Sequence, residues 1–347
     1  MSSLLELHGV TKVFGGGLFT KNRTVALEDL SLTLVTDTPS VTSIVGESGS
    51  GKTTLARLLL GMISPTEGHI SYKGKDVAKM TRGERKEFRK EVQPIFQDPF
   101  EVFNPFYKVD HVLKVPIAKF KLASSEQEER SMIGDALEMV GLRPDETLGR
   151  YPHQLSGGQR QRIMVARALL LKPKVILADE PVSMVDASLR ATILESIHRL
   201  NRELGISIMY ITHDLTTAYQ ISDNILVLYR GSVAEVGEVG EVGEVIKDPK
   251  HPYTQLLVGS IPHPDPHRRW GDGTVSVVQS GEKTVNGCKF ADRCEAVMDV
   301  CWTDVPARHQ IDKNRVASCH LYKESPVMLG TDLSQVFVAP RAVTTPS

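Results

Sequence analysis

Residues Gly46-Glu47-Ser48-Gly49-Ser50-Gly51-Lys52-Thr53 fit the pattern G-x-x-x-x-G-K-[ST]. An apolar run, Val41-Thr42-Ser43-Ile44-Val45, precedes them, and a helix-favouring run, Thr54 to Leu60, follows. Strand, glycine-rich loop and helix in that order make a phosphate-binding P-loop. The glycines let the backbone wrap phosphates, so that successive N–H groups and the helix N-terminus face the negative charge. Gly46 to Thr54 are then expected to bind ATP, with Lys52 at the β- and γ-phosphates, Thr53 on Mg²⁺ and Thr54 at the start of the helix.

From Leu4 to about Ile246, short apolar runs alternate with longer amphipathic segments, the rhythm of an α/β fold with a largely parallel sheet. Val175 to Ala178, Ile206 to Ile211 and Ile225 to Leu228 read as further buried strands. Residues 124–142 read as a helix capped by Ser125, with Ile133, Leu137 and Val140 on one face. The chain has 41 Lys and Arg against 42 Asp and Glu, so it lacks the overall basic excess of a nucleic-acid binder. No stretch approaches the roughly 18–20 apolar residues of a membrane span. The first residues lack the pattern of a signal peptide. Both points lead to an expected cytoplasmic location, with any membrane role requiring a docking protein.

Asp179-Glu180 ends the apolar strand VILA. Beside a P-loop, Asp179 is placed to hold Mg²⁺ and Glu180 to polarise an attacking water. Leu155-Ser156-Gly157-Gly158-Gln159 opens an arginine-rich helix, a second candidate anion cradle. In isolation, a Ser-Gly-Gly start is more simply an N-cap.

Taken together, the P-loop, LSGGQ and ADEP resemble the ATP-binding-cassette ATPases over about residues 4–248. The resemblance implies a P-loop NTPase domain at 1–250 with a helical subdomain at about 98–165. It places Gln97 (IFQDP) on Mg²⁺ and the membrane partner, and Asp186 (SMVD) in the D-loop. His213 (ITHD) falls at the γ-phosphate, and Phe14 (VTKVF) stacks on adenine. Met184 and Val185 depart from the common D-loop residues. In this family two cassettes sandwich two ATP molecules, so Ser156, Gly157, Gly158 and Gln159 would serve the partner's ATP. The residues Asp98 to Tyr107 would receive a cytoplasmic helix of a permease. The tandem EVGEVGEVG at 235–243 reads as a strand or loop lengthened by repeat slippage.

From His251 prolines cluster, and all four cysteines of the chain follow, spaced Cys288-x₅-Cys294-x₆-Cys301-x₁₇-Cys319. In a cytoplasmic chain such clustering favours a metal or cluster site over disulfides. A small cysteine-rich domain is expected at 251–322 and a mobile tail at 323–347. The spacings lack the short knuckles typical of zinc. His251-Pro252-Tyr253-Thr254, Tyr151-Pro152-His153 and Gly287-Cys288-x-Phe290-x-x-Arg293-Cys294 are similar to oligopeptide and dipeptide importer subunits. That similarity implies a [4Fe–4S] cluster, with zinc as the alternative. It also implies two transmembrane permeases, an extracytoplasmic solute-binding protein and a peripheral place at the cytoplasmic membrane face. The same family includes oligosaccharide and nickel systems, so the solute stays open. A cassette acting as a redox or metal sensor is the competing reading, and a soluble cassette ATPase of translation or DNA repair lacks its usual second cassette here.

Overall fold

The computed structural model describes residues 3–15, 23–35, 38–97, 103–183, 185, 187–239, 244–261, 286–328 and 332–337. It divides into two compact units, one of residues 1–79 and 211–347, the other of residues 80–210.

In the first unit β1 (Ser3–Gly15) and β2 (Arg23–Val35) pair antiparallel, with Leu5 opposite Leu34 and Leu7 opposite Leu32. β1 buries Leu4, Leu5, Leu7 and, past a register shift, Val10. β3 (Val41–Val45) is buried at all five positions, as an apolar strand in a sheet interior must be. α1 (Lys52–Leu59) follows it directly after the glycine-rich loop. β4 (Glu67–Tyr72) and β5 (Lys75–Asp76) complete a four-stranded antiparallel sheet in the order β2-β1-β4-β5.

The second unit begins with α2 (Arg82–Glu91), whose N-terminus is closed by a Thr81–Glu84 capping box, and β6 (Val92–Ile95). Four helices follow: α3 (Asp110–Phe120), α4 (Glu126–Met139), the single turn α5 (Pro144–Thr147) and α6 (Gly157–Leu169). Ser125 caps α4 by accepting the Glu128 N–H at 3.2 Å, and Ile133, Leu137 and Val140 are buried. α3, α4 and α5 lie within residues 98–165, the interval expected to be helical, and α6 runs past it to Leu169. β7 (Val175–Asp179) pairs parallel with β6 and leads to α7 (Ala187–Leu204). β8 (Ser207–Thr212) carries the chain back towards the first unit.

There α8 (Leu215–Ile221) precedes β9 (Asn224–Tyr229), which runs parallel to β3 with Val45 opposite Val227. Beyond β9 the sheet turns antiparallel, through β10 (Ser232–Glu238). The short helices α9 (Glu244–Lys247), α10 (Pro252–Gly259) and α11 (Val300–Thr303) come next. β11 (Arg308–Asp312) and β12 (Arg315–Ser318) then extend the sheet, with Val316 of β12 opposite Val236. The sheet is therefore mixed rather than largely parallel, because tight turns join β9 to β10 and β11 to β12 and make those pairs antiparallel.

Two boundaries differ from the sequence expectation. Residues 251–322 are clustered with the P-loop half, since β12 hydrogen-bonds to β10 of that unit. The expected tail is partly anchored. Leu333 and Val336 are buried, and Asp332 bridges to Ser31 of β2. Residues 240–243 of the repeat and 338–347 of the tail lie outside the described residues. Among the described residues no helix is long and apolar enough to cross a membrane.

Candidate functional site

The glycine-rich loop of the first unit has the backbone its sequence calls for. Gly46 (φ 151°) and Gly51 (φ 107°) both lie where an L side chain is strained. A Cβ on Gly46 would stand 2.2 Å from the Leu228 carbonyl, and one on Gly51 would stand 2.4 Å from that of Ala26. Gly51 is the N-cap of α1 and no side chain caps the helix, so its first-turn N–H groups are left facing the loop's concavity. Lys52 is buried, its Nζ donating to the carbonyls of Gly46 (2.6 Å) and Glu47 (2.9 Å). Its charge is thus curled inside the loop, while Ser48, Gly49 and Thr53 are exposed. This cradle of N–H groups with a central ammonium suits a polyphosphate.

Phe14, near the end of β1 and opposite Thr24, is 44% exposed, with Lys12 Nζ 5.1 Å from its ring centre. A strand aromatic is usually core, so a ring face left open is what stacking on a base requires. His213 lies just past β8 and is exposed, and Asp214 caps α8 through the N–H groups of Thr216 and Thr217.

In the second unit Glu180 follows β7 at φ 45°, a left-handed conformation rare for a residue with a side chain. Such strain collects at functional positions. Gln97, after β6, donates from Nε2 to Glu180 Oε2 at 3.0 Å. One carboxylate oxygen is thereby oriented by a neutral amide. Ser156 caps α6 in a capping box: its Oγ accepts the Gln159 N–H and Gln159 Oε1 accepts the Ser156 N–H. The plain N-cap is therefore realised, and Ser156 remains exposed at the helix start. Asp186 and Met184 of the D-loop lie outside the described residues.

The P-loop has further neighbours. Tyr253, the tyrosine of the HPYT motif, is fully buried, and its hydroxyl accepts the Glu47 N–H at 2.8 Å. Arg293 grips the Glu47 carboxylate with both Nη atoms, at 2.8 and 2.9 Å. This pairing holds the Glu47 carboxyl below the usual carboxylate range. Sequence reasoning quoted Tyr253 and Arg293 only as marks of resemblance.

Around Cys288 the backbone is tightly crossed. The Cys288 N–H donates to the Cys301 carbonyl at 2.8 Å, and a Cβ on Gly287 would fall 2.6 Å from that oxygen. All four cysteines are free thiols. Burial pushes Cys294 up to about 11 and Cys319 up to about 12, and the charges of the other cysteines add to both shifts. Among the described residues no group of three or more His, Cys, Asp or Glu side chains is placed to hold a metal ion.

The ABC transporter family model matches residues 27–183, and the model of the oligopeptide/dipeptide transporter C-terminal region matches residues 238–301. YkfD of Bacillus subtilis (strain 168), provisionally named an oligopeptide transport ATP-binding protein, is 38% identical over 93% of this chain and 96% of its own length. The oligopeptide transport ATP-binding protein AppF of the same organism is 36% identical over 92% of this chain and 98% of its own. This chain belongs to the ABC transporter family. Among solved structures, a dimeric post-hydrolysis form of the cassette MJ0796 bound to ADP and Pi superimposes with a TM-score of 0.61 at 29% identity. The match covers 68% of this chain and 99% of that one.

Against this ABC cassette, the aromatic segment after Gln97 splits into two kinds. Residues 98–102 lie outside the described part. Phe103 is buried at 8% exposure, whereas Phe106 is 86% exposed and Tyr107 51%. Of the segment expected to receive the permease helix, Phe106 and Tyr107 lie at the surface. Phe103 packs inward.

Proposed function

We propose that this chain is the ATP-hydrolysing subunit of an ABC importer for oligopeptides or dipeptides. The observation that carries the reading is the union, in one chain, of a complete P-loop with a C-terminal region of the oligopeptide/dipeptide transporter kind. The subunit works with a second cassette and with membrane permeases, peripherally at the membrane's cytoplasmic face.

Within that reading, Lys52 and the N–H groups of residues 46–53 take the phosphates, and Phe14 takes the base. Thr53, Gln97 and Asp179 are the proposed Mg²⁺ ligands; when bound, the ion offsets phosphate charge. Glu180 accepts a proton from the attacking water, its orientation set by Gln97. His213 is the proposed donor to the γ-phosphate. Ser156, Gly157, Gly158 and Gln159 contact the partner cassette's nucleotide, and Asp186 belongs to the same dimer interface. The dimeric form of the MJ0796 cassette supports the pairing of two cassettes. The test is purification of the intact complex, reconstituted with its solute-binding protein. Peptide-stimulated ATP turnover is expected; stimulation by an oligosaccharide but by no peptide would overturn the substrate class.

The cysteine segment is proposed to hold a [4Fe–4S] cluster through Cys288, Cys294, Cys301 and Cys319. Support comes from four buried or half-buried thiols whose charges act on one another. The cysteine spacings of five, six and seventeen intervening residues lack the short knuckles usual for structural zinc. Such a cluster would serve structure, since residues 286–328 have few large apolar side chains to bury. Anaerobic purification with iron, sulfide and zinc analysis tests it, and stoichiometric zinc without iron would refute it.

A further inference from the structure

Glu47, the second residue of the P-loop, is held on every polar group it has. Its N–H is taken by the Tyr253 hydroxyl and its carboxylate by the Arg293 fork. Its carbonyl accepts from Lys52 Nζ at 2.9 Å and from the Ser50 N–H at 3.1 Å. Two of these contacts come from a segment more than 200 residues away in sequence.

The outside contacts rest on a rigid base. The Arg293 guanidinium lies 5.9 Å from the Tyr229 ring centre and 5.7 Å from that of Phe290. The Tyr253 ring packs at a tilt against Tyr229, with ring centres 4.4 Å apart, and against Phe290, at 5.5 Å. The two rings beside the guanidinium restrict the fork's rotamers, and a bidentate carboxylate pair is geometrically demanding.

The charge arrangement has a direct consequence for an anionic ligand. A carboxylate within a phosphate cradle repels nucleotide, and a bare Glu47 would oppose Lys52. Arg293 cancels that charge while holding the loop's shape.

We propose that Arg293 and Tyr253 are positioning residues for the phosphate loop, setting nucleotide affinity by neutralising and fixing Glu47. The proposal rests on the reading of residues 46–53 as the ATP site. Because Arg293 and Phe290 lie between Cys288 and Cys294, the order of the cysteine segment reaches the P-loop through this pair.

The test uses the full-length chain with MgATP, recording KM, kcat and melting temperature for each variant. Arg293→Met keeps the apolar stem over the rings and removes the fork. It is expected to raise KM about tenfold with kcat within about twofold. Combining it with Glu47→Gln removes the unpaired charge and is expected to bring KM back to within about threefold of the parent. A purely structural role would not produce that rescue. Tyr253→Phe is expected to raise KM about threefold, the loss of one hydrogen bond. Unchanged KM in Arg293→Met, or a double variant no better than the single, overturns the proposal. Should Arg293→Met melt below assay temperature, Arg293→Lys decides: it keeps the charge without the fork, and a KM equal to the parent's would refute a fork-dependent role. A parent chain that binds no MgATP would instead sink the underlying reading of the loop, and the proposal with it.

Discussion

Gln97 donates its side-chain N–H to Glu180 at 3.0 Å, so the residue after β6 orients the carboxylate after β7. The two positions are 83 residues apart, yet the parallel pairing of β6 with β7 brings their C-terminal ends side by side. In an open α/β sheet that end of the strands is where ligands bind.

Replacing Glu180 by Gln keeps the shape of the side chain and removes its basicity. Turnover should fall by about 10²–10⁴-fold, the range for loss of a general base, with ATP affinity nearly unchanged. Single-turnover hydrolysis and equilibrium ATP binding check this. Near-parental turnover would remove Glu180 from its proposed role.

The loop glycines should not be equivalent. Gly46→Ala drives a Cβ against the Leu228 carbonyl and should cost about 3 kcal/mol or more. Gly49 also has a positive φ, 79°, but a Cβ there meets nothing within 4 Å, so Gly49→Ala should cost only about 1 kcal/mol. Denaturant melts of the two variants give the comparison, and equal losses would contradict the steric account.

Glu235 in β10 is fully buried, and its carboxylate accepts the N–H groups of Lys250 and His251. Burial pushes its pKa up to about 7, although Arg315 nearby acts in the opposite direction. A raised pKa means that this group's contribution is complete below its ordinary value and is lost as pH rises through 7. Burial also pushes His251 down to about 4, so its contribution is present above its ordinary value and is lost as pH falls through 4. Glu235→Gln should therefore stabilise the chain at pH 8 by about 1–3 kcal/mol, with the gain vanishing near pH 4.5. Urea titrations at the two pH values provide the measurement. A gain equal at both would show that ionisation is not the cause.

Phe106 and Phe103 should separate surface from core. Phe106→Ser, at 86% exposure, should leave the melting temperature within about 2 °C of the parent and weaken assembly with the permeases. Phe103→Ser should cost about 3 kcal/mol of stability. Parallel melts and co-purification distinguish the two, and intact assembly in the Phe106 variant would move the docking surface elsewhere.

What was legible in the sequence followed from local rules. β3 and β7 are short apolar runs ended by a glycine or a carboxylate, and the P-loop, Ser125 and Ser156 carry spacings set by backbone chemistry. The pairing of Gln97 with Glu180 needed the sheet, not the motif. The positive φ of Glu180 has no residue-type signal, since nothing but its surroundings holds a glutamate there. Phe14 reads as core by composition, and only the position of β1 leaves its ring open. Phe103 and Phe106 are chemically identical, and burial alone tells them apart.

The pair between Glu47 and Arg293 closes a loop of 246 residues. On a ribosome Arg293 emerges after the whole cassette, so this contact can form only once the cassette motifs have been synthesised. A nascent cassette therefore displays every nucleotide motif before its phosphate loop has acquired its full set of hydrogen bonds. A product released before His251 would carry those motifs without Tyr253 or Arg293, so completing the loop waits on a segment synthesised after the cassette.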